Sequence, residues 1–547
     1  MTMNKLFTIF SLCILAAPAA FPQCAETEEP KVLLVGDSWA FFMNVDQTIN
    51  TVFKKWGHSG DKYYTNLVLS ENGAETDDFL LPSKQNEIAA QLNAHPSIRA
   101  VHLSIGGNDV LGDWNVGYTA AQTDSLKDQV RGRLISIIDF IKSVKPGIRI
   151  VWSGYAFPNF GEVIASAAPF QTSHPFYGTW AGMGFPGFLQ INTLLNDFSA
   201  EIEAYAAADP QVEFVNATGL MQYTYGQNAP LGVAPGGTYP PYTVPMPGGD
   251  PNYPSPKNSM RDYGITKDCF HLSPGGYRDL IEYHTQKFYH HFLMNDLYLL
   301  SQNGPRTGSV SSSGQVSPSL FVGESGGETF AAVLSFDTPA MPDTVLAKAS
   351  LFLRREGLAG ANPIGGNLQV RVVNGHFGAS ADVEAADYDA PGNASGTPCL
   401  FGSNGGDGHW IRLDLPAQLL PYINRNAATQ FIVSAPGASG ARVTFSDASN
   451  PEFAPVLDLT YGISYASVEE TGAGAAAVYP NPTTGMLTID TKGAAVTEVE
   501  VRDLYGKTVW RTQDNLNTAD ISSLPAGTYT VSIRSTGGKT IRRIVKL

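Results

Sequence analysis

Basic charge is in short supply in this chain. Its 35 Lys and Arg stand against 50 Asp and Glu, for a formal net charge of −15. Nucleic-acid binding needs clustered Lys and Arg to displace the counterions of phosphate, so no nucleic acid is expected as a partner. Long apolar runs are missing too. Beyond the first residues no stretch reaches the roughly 18 apolar residues of a bilayer-spanning helix, so no transmembrane segment is expected. Cysteine is scarce. Cys13 lies in the N-terminal apolar run, and Cys24, Cys269 and Cys399 are too few for a disulfide framework. Phe21-Pro22-Gln23 lacks the small residues that precede a lipidated cysteine, which argues against lipidation of Cys24.

What is present is globular material. Hydrophobic residues make up 43% of 547, which is core enough for folding and too much chain for one core, so three or four domains are expected. The N-terminus has the form of a signal peptide over residues 1–20: Lys5, then the short apolar run Leu6 to Ala17, then small residues at Ala17-Pro18-Ala19. Export follows.

From 31 to 298 strand-like and helix-like patterns alternate. Lys31 to Val35, Val101 to Ile105, Ile148 to Trp152 and Val212 to Val215 read as buried strands. Ala40 to about Trp56, Ser125 to Val144 and a last segment opening at Pro274-Gly275 and running to about Leu293 read as helices. Strands separated by helices imply α/β layers around a parallel sheet. Two stretches, 155–185 and 221–263, break the pattern with Gly, Pro and aromatics, and loops of that length are commonly functional. They could wall a cleft or pack on themselves. Residues 299–318 read as a linker, 319–462 as an all-β sandwich of short alternating strands, 463–476 as a second linker, and 477–547 as a smaller β module.

Two segments carry the chemistry. Ser38 follows the first strand in Gly36-Asp37-Ser38-Trp39, where a strand-to-helix turn lifts a hydroxyl to the sheet's C-terminal edge. Many first strands end with such residues, so the segment alone is weak. Asp268-Cys269-Phe270-His271 supplies what a serine nucleophile needs, a histidine base and a carboxylate to orient it. The alternative for this segment is a loop histidine beside a capping Asp. Acyl transfer also needs donors for an oxyanion. Asn108, in Gly106-Gly107-Asn108-Asp109, and the N–H of Gly73, in Asn72-Gly73-Ala74-Glu75-Thr76, could provide them, although Asn and Gly are also ordinary turn residues.

Taken in order, these four segments resemble the SGNH (GDSL-like) hydrolases, over residues 31 to about 298. The resemblance implies a three-layer α/β/α sandwich with a parallel sheet and no metal or organic cofactor. It also implies Ser38 as nucleophile, His271 as base, Asp268 as its orienting carboxylate, and an oxyanion hole from the Ser38 N–H, the Gly73 N–H and the Asn108 side chain. Trp39 stands where the family commonly has Leu, and the second block matches loosely around Gly73. Gly323-Glu324-Ser325-Gly326-Gly327 fits Gly-x-Ser-x-Gly but lies before a strand, where that motif has no meaning. His284, His290 and His291 read as a solvated helix face rather than metal ligands, and Cys269 as packing.

Leu334 to Asp337, Ala347 to Leu353 and the closing run from Arg442 to Tyr461 resemble the DNRLRE-type β-sandwich, which implies glycan binding or a spacer. Asp and Asn are plentiful in 382–407, without the ligand spacing of a Ca²⁺ site. Val478 to Gly485, Leu504-Tyr505-Gly506-Lys507, Leu524 to Tyr529 and the basic end Lys539 to Leu547 resemble the C-terminal sorting domain of the type IX secretion system. That implies passage across the outer membrane and a secreted or cell-surface product, with the secretion machinery as a partner. The expectation is therefore an exported serine ester hydrolase working through an acyl-enzyme on an ester substrate. An acylated polysaccharide fits the modules around it, which makes it a carbohydrate acetyl esterase. A lipid or aryl esterase is the alternative, and a non-catalytic surface glycan-binding protein on a hydrolase scaffold is another.

Overall fold

The computed structural model describes residues 24, 26–226, 240–339, 341, 345–365, 368–462, 476–491, 493, 495–503, 507–514, 516–525, 527–535 and 538–546. The signal segment, most of the linker 463–476 and Leu504-Tyr505-Gly506 lie outside the described residues.

The first domain runs β1 (Glu29–Gly36), α1 (Ser38–Val45), α2 (Thr48–Lys55), β2 (Asp61–Tyr64), α3 (Pro82–Ala94), β3 (Ala100–Ser104), α4 (Gly107–Asp113), α5 (Ala120–Val144), β4 (Arg149–Ser153), α6 (Phe160–Ala165), α7 (Tyr177–Gly182), α8 (Phe188–Ala208), β5 (Val212–Val215), α9 (Leu220–Tyr225), β6 (Met260–Tyr263), β7 (Thr266–Leu272) and α10 (Pro274–His284). Five strands form a sheet in the order β2-β1-β3-β4-β5, parallel throughout. Both faces of β1 are buried, as a parallel strand requires. Val32 and Leu34 join the core under α1, α2 and α10, with Met43, Phe53 and Leu280. Leu33 and Val35 join the opposite core, with Ile88 of α3 and Leu134 and Ile138 of α5. This period-two split of one strand between two helix layers produces the three-layer α/β/α sandwich.

Some boundaries differ from the sequence pattern for local reasons. The helix expected from Ala40 to Trp56 is two, broken at Gln47, whose φ of 51° is left-handed. The helix expected from Ser125 starts at Ala120, where Thr119 and Gln122 form a capping box. The pattern-breaking stretches hold α6, α7, nearly all of α9 and β6, which pairs with β7 just beyond them. Side-chain amides replace regular pairing there: buried Gln222 donates to the carbonyls of Asp250 and Tyr253 and accepts from the Asp250 N–H, while Asn192 donates to Pro251 and Tyr253.

The expected linker 299–318 is a correction. Leu297–Leu300 pairs with Val456–Tyr461, and Gly308–Ser311 pairs with Glu328–Asp337, so this stretch belongs to the β-sandwich. Its Ser and Gly content suited β edges as well as it suited a linker. The sandwich is antiparallel, and the long strand Leu346–Ala359 pairs with strands of both sheets, Trp410–Asp414 and Arg442–Phe445. Leu334, Phe336, Leu351, Leu353 and Phe431 fill its core. It docks on the α/β domain through Trp56 and Trp410, stacked at 5.7 Å, and Phe352. The expectation of a solvated histidine face is overturned. His284 is buried against His102 of β3, and His290 is buried at this seam, its Nδ1 3.1 Å from His58 Nε2. Burial first, then neighbouring His58, holds His290 well below the ordinary imidazole range.

The C-terminal unit, described by itself, has one sheet built on Met486–Asp490 and another ordered Thr508–Thr512, Val496–Arg502, Gly527–Ser535, Gly538–Lys546, packed around Leu487, Val499, Val531 and Ile544.

Cysteine usage also departs from expectation. Cys24 and Cys399 form a disulfide that ties the chain's beginning to the sandwich across 375 residues, while Cys269 is free and buried. Sequence spacing carries no information about so remote a pair. Protein lacking residues 1–20 is expected to show one reactive thiol on denaturation without reductant and three after reduction, by thiol titration. Three thiols without reductant would mean that Cys24 and Cys399 are unpaired.

Candidate active site

The strand order reverses between β1 and β3, and ligands of doubly wound sheets bind beyond the C-terminal strand ends at such a point. Ser38 sits there, as the first residue of α1 after β1. Its backbone N–H has no carbonyl one turn back to accept it. Asp37 caps the helix, accepting the Trp39 N–H at 2.9 Å on Oδ1, and takes the Tyr155 hydroxyl at 2.5 Å on Oδ2. Burial pushes the Asp37 carboxyl up to about 6, against the opposing pull of the Tyr155 hydrogen bond.

β7 and the residues before α10 bring the histidine to the same edge. His271 Nε2 lies 2.7 Å from Ser38 Oγ, and His271 Nδ1 lies 2.8 Å from Asp268 Oδ2. The other oxygen of Asp268 accepts the backbone N–H groups of Phe270 and His271 at 2.9 and 2.8 Å. The carboxylate is thus held by the same short segment it serves. Phe270, Phe42 and Phe176 surround the imidazole, with ring centroids 4.3, 4.8 and 6.3 Å away. A hydroxyl, an imidazole and a carboxylate so joined can pass a proton from Ser38 to His271 while the ring stays oriented.

Asn108, on the first turn of α4 after β3, donates its side-chain N–H to the Ala74 carbonyl at 2.9 Å. The next residue grips the same segment: buried Asp109 accepts the Thr76 N–H and hydroxyl, and Arg133 Nη1 at 3.2 Å. Gly73 lies one residue from that grip with φ +79°, and an added Cβ there would meet nothing within 4 Å, so its glycine serves backbone conformation. Ser38 and Asn108 line one cavity of about 50 Å³ with Tyr155, Ile191, Leu195 and Phe198; Gly73 is not among its lining residues.

Sequence reasoning assigned no role to Asp37, Asp109 or Tyr155. The first two were visible inside the quoted motifs, while nothing around Tyr155 marks it as a partner of Asp37. Cys269 is buried in the cluster of Val110, Phe160 and Val163, with its thiol pushed well up by burial. Ser325 of the Gly-x-Ser-x-Gly match lies at a β-hairpin turn between Phe321–Ser325 and Glu328–Asp337, remote in kind from a strand-to-helix elbow. Among the described residues no group of three or more His, Cys, Asp and Glu could hold a metal ion, and no helix is long and apolar enough to cross a membrane.

Comparison with known proteins agrees in class. Residues 34–278 match the model of the GDSL-like lipase/acylhydrolase family, and residues 477–547 match that of the secretion system C-terminal sorting domain. No curated protein matches. Similar solved structures include a GDSL-like lipase from Bacteroides thetaiotaomicron, 17% identical, covering 49% of this chain and 92% of that one, with a TM-score of 0.25. They include also a family 3 carbohydrate esterase from Clostridium thermocellum, 17% identical, covering 48% and 99%, with a TM-score of 0.26. A carbohydrate esterase of family 3 from Talaromyces cellulolyticus is 12% identical, covering 48% and 96%, with a TM-score of 0.27.

The buried Asp37 sets a pH test. Its folded pKa of about 6 lies above the ordinary 3.8, so the folded state holds the proton more tightly. The stability this lends is full below the ordinary value and is lost as pH rises through about 6. The loss amounts to roughly 3 kcal/mol, at about 1.4 kcal/mol for each tenfold difference in proton affinity. The melting temperature of Asp37→Asn relative to wild type is therefore expected to rise between about pH 4 and pH 7. A difference independent of pH would place the Asp37 carboxyl at its ordinary value.

Proposed function

We propose that this chain, an exported carboxylic-ester hydrolase whose residues 34–278 form a GDSL-like lipase/acylhydrolase domain, is a serine esterase that removes acetyl groups from a polysaccharide. The observation that carries the serine mechanism is the continuous contact from Ser38 Oγ through His271 to Asp268. Ser38 Oγ attacks the ester carbonyl as His271 Nε2 takes its proton, and Asp268 holds the imidazolium. The negative charge on the former carbonyl oxygen meets the Ser38 N–H, the Asn108 side chain and the Gly73 N–H. The intermediate collapses, the alcohol leaves with the proton from His271, and the acyl group remains on Ser38. Water, deprotonated by His271, then attacks the acyl-enzyme and releases the acid.

The acetyl preference rests on the cavity beside Ser38 and Asn108. Its volume of about 50 Å³ exceeds what one water needs by only a few times, and Ile191, Leu195 and Phe198 stand in its wall. A two-carbon acyl group fits such a space, and a fatty acyl chain would have to extend beyond it. The polysaccharide part of the reading rests on the exported β-rich context and on aromatics in the loops around the cleft, which is association rather than geometry.

Ser38→Ala and His271→Ala are each expected to lower kcat on a small aryl acetate at least about a thousandfold, and the double variant scarcely further, because the two act as one unit. Unchanged turnover in Ser38→Ala would overturn the mechanism. In the wild type, kcat/KM is expected to fall steeply from acetyl to butyryl to octanoyl aryl esters, with Leu195→Ala flattening the series. A rate that rises with chain length would move the substrate to lipids.

A further inference from the structure

Acyl transfer divides a substrate between two sides of the nucleophile. The acyl half faces the small cavity at Asn108. The alcohol half takes its proton from His271 and so lies on the histidine's side of Ser38. On that side β7 runs back from His271 and Asp268 into Lys267 and Thr266, and these two line an open groove of about 800 Å³. The segment from Ser166 to Pro175 forms the facing wall, and Lys257 and the β6–β7 turn complete it. Phe176 links the groove to the proton donor, its ring 6.3 Å from that of His271 and 5.8 Å from that of Tyr263.

Two features of the groove distinguish it from ordinary surface. First, it displays apolar side chains that the fold leaves uncovered: Phe170 at 72% exposure, Tyr263 at 48% and Ile265 at 107%. Two of these are aromatic faces, suited to the apolar C–H surfaces of sugar rings. Second, its charge runs against that of the chain. Lys267 and Asp262 form an ion pair at 2.5 Å and cancel. Lys257 makes no ion pair or hydrogen bond among the described residues, although Glu162 acts on it through space, and burial holds its ammonium below the ordinary range. A surplus cation half sunk in a groove, in a chain of net charge −15, is a site for an anion.

We propose that this groove binds the alcohol side of the substrate as an acidic glycan, with sugar rings against Tyr263 and Phe170 and a uronic acid carboxylate against Lys257. The proposal rests on the serine-esterase reading for where the leaving group lies. The hairpin that carries the catalytic histidine would then also carry the substrate platform, so recognition and proton donation share one element.

Binding can be read without catalysis. In full-length Ser38→Ala protein, an acetylated oligomer of galacturonic acid and an acetylated xylo-oligosaccharide would be titrated by calorimetry. The acidic oligomer is expected to bind more tightly. Adding Tyr263→Ala is expected to weaken both about tenfold, and adding Lys257→Gln to weaken the acidic one alone by about as much. With Ser38 intact, both groove variants should hydrolyse 4-nitrophenyl acetate within about twofold of wild type, which shows that they fold. Absence of binding to either oligomer, or binding unmoved by either variant, would overturn the groove assignment. Equal loss on both oligomers in Lys257→Gln would overturn the acidic specificity. Failure of the esterase reading looks different: 4-nitrophenyl acetate hydrolysis would be no faster with Ser38 than with Ala, whatever the oligomers do.

Discussion

The site depends on how closely β1 approaches β3. At the end of β1 a Cβ on Gly36 would stand 1.9 Å from the carbonyl oxygen of Ser104, so only glycine lets the two backbones meet there. That contact fixes the register in which Gly36 faces Ser104, and the Asp37 N–H then donates to the Ser104 carbonyl at 2.9 Å. From this point the two chains diverge into α1 and α4, and their first turns carry Ser38 and Asn108. The separation of Ser38 and Asn108 is therefore set by backbone pairing between two rigid strands. Strand β7 of a separate hairpin contributes the third party, His271, which is oriented by a carboxylate three residues away on the same strand rather than by the parallel sheet.

The parts legible in the sequence are those whose information is local. The buried strands announced themselves as apolar runs because both faces are covered. Ser38, Asp268 and His271 stood in short segments whose spacing matched a chemical requirement, and the structure places their polar atoms within hydrogen-bond distance. Asn108 stood in such a segment too, but its bond to the Ala74 carbonyl was not legible there, because the partner lies 34 residues away. Asp109 is similar, a residue inside a recognised motif whose work is to tie that motif to Thr76.

The misread parts are those where composition stands for two structures. Ser- and Gly-rich chain between 299 and 318 suits a linker, and equally the edge strands of a sandwich that docks on its neighbour. The histidines of the last helical segment look solvated on a helical wheel, yet His284 packs against His102 under the sheet, and His290 is buried because a second domain, invisible to helical periodicity, brings Trp410 against it. The pairing of Cys24 with Cys399 is of this kind too. Each error comes from assuming that an element's surroundings end with its own domain.

Chemistry and recognition draw on different parts of this fold. Ser38 and His271 are buried, and Phe42, Phe176 and Phe270 frame the imidazole, an apolar surrounding that strengthens the electrostatics between the two. Such a frame has little room for specificity beyond the size of the acyl group. Selection of the alcohol must come from surface that the α/β layers do not supply, and the segments that break the strand–helix alternation are the available source. Buried amides such as Gln222 and Asn192 anchor these segments to the scaffold, so their exposed faces can vary in sequence without loss of position. A change of substrate would then need new side chains on the hairpin and its facing wall, while the Ser38 end of the sheet stayed as it is.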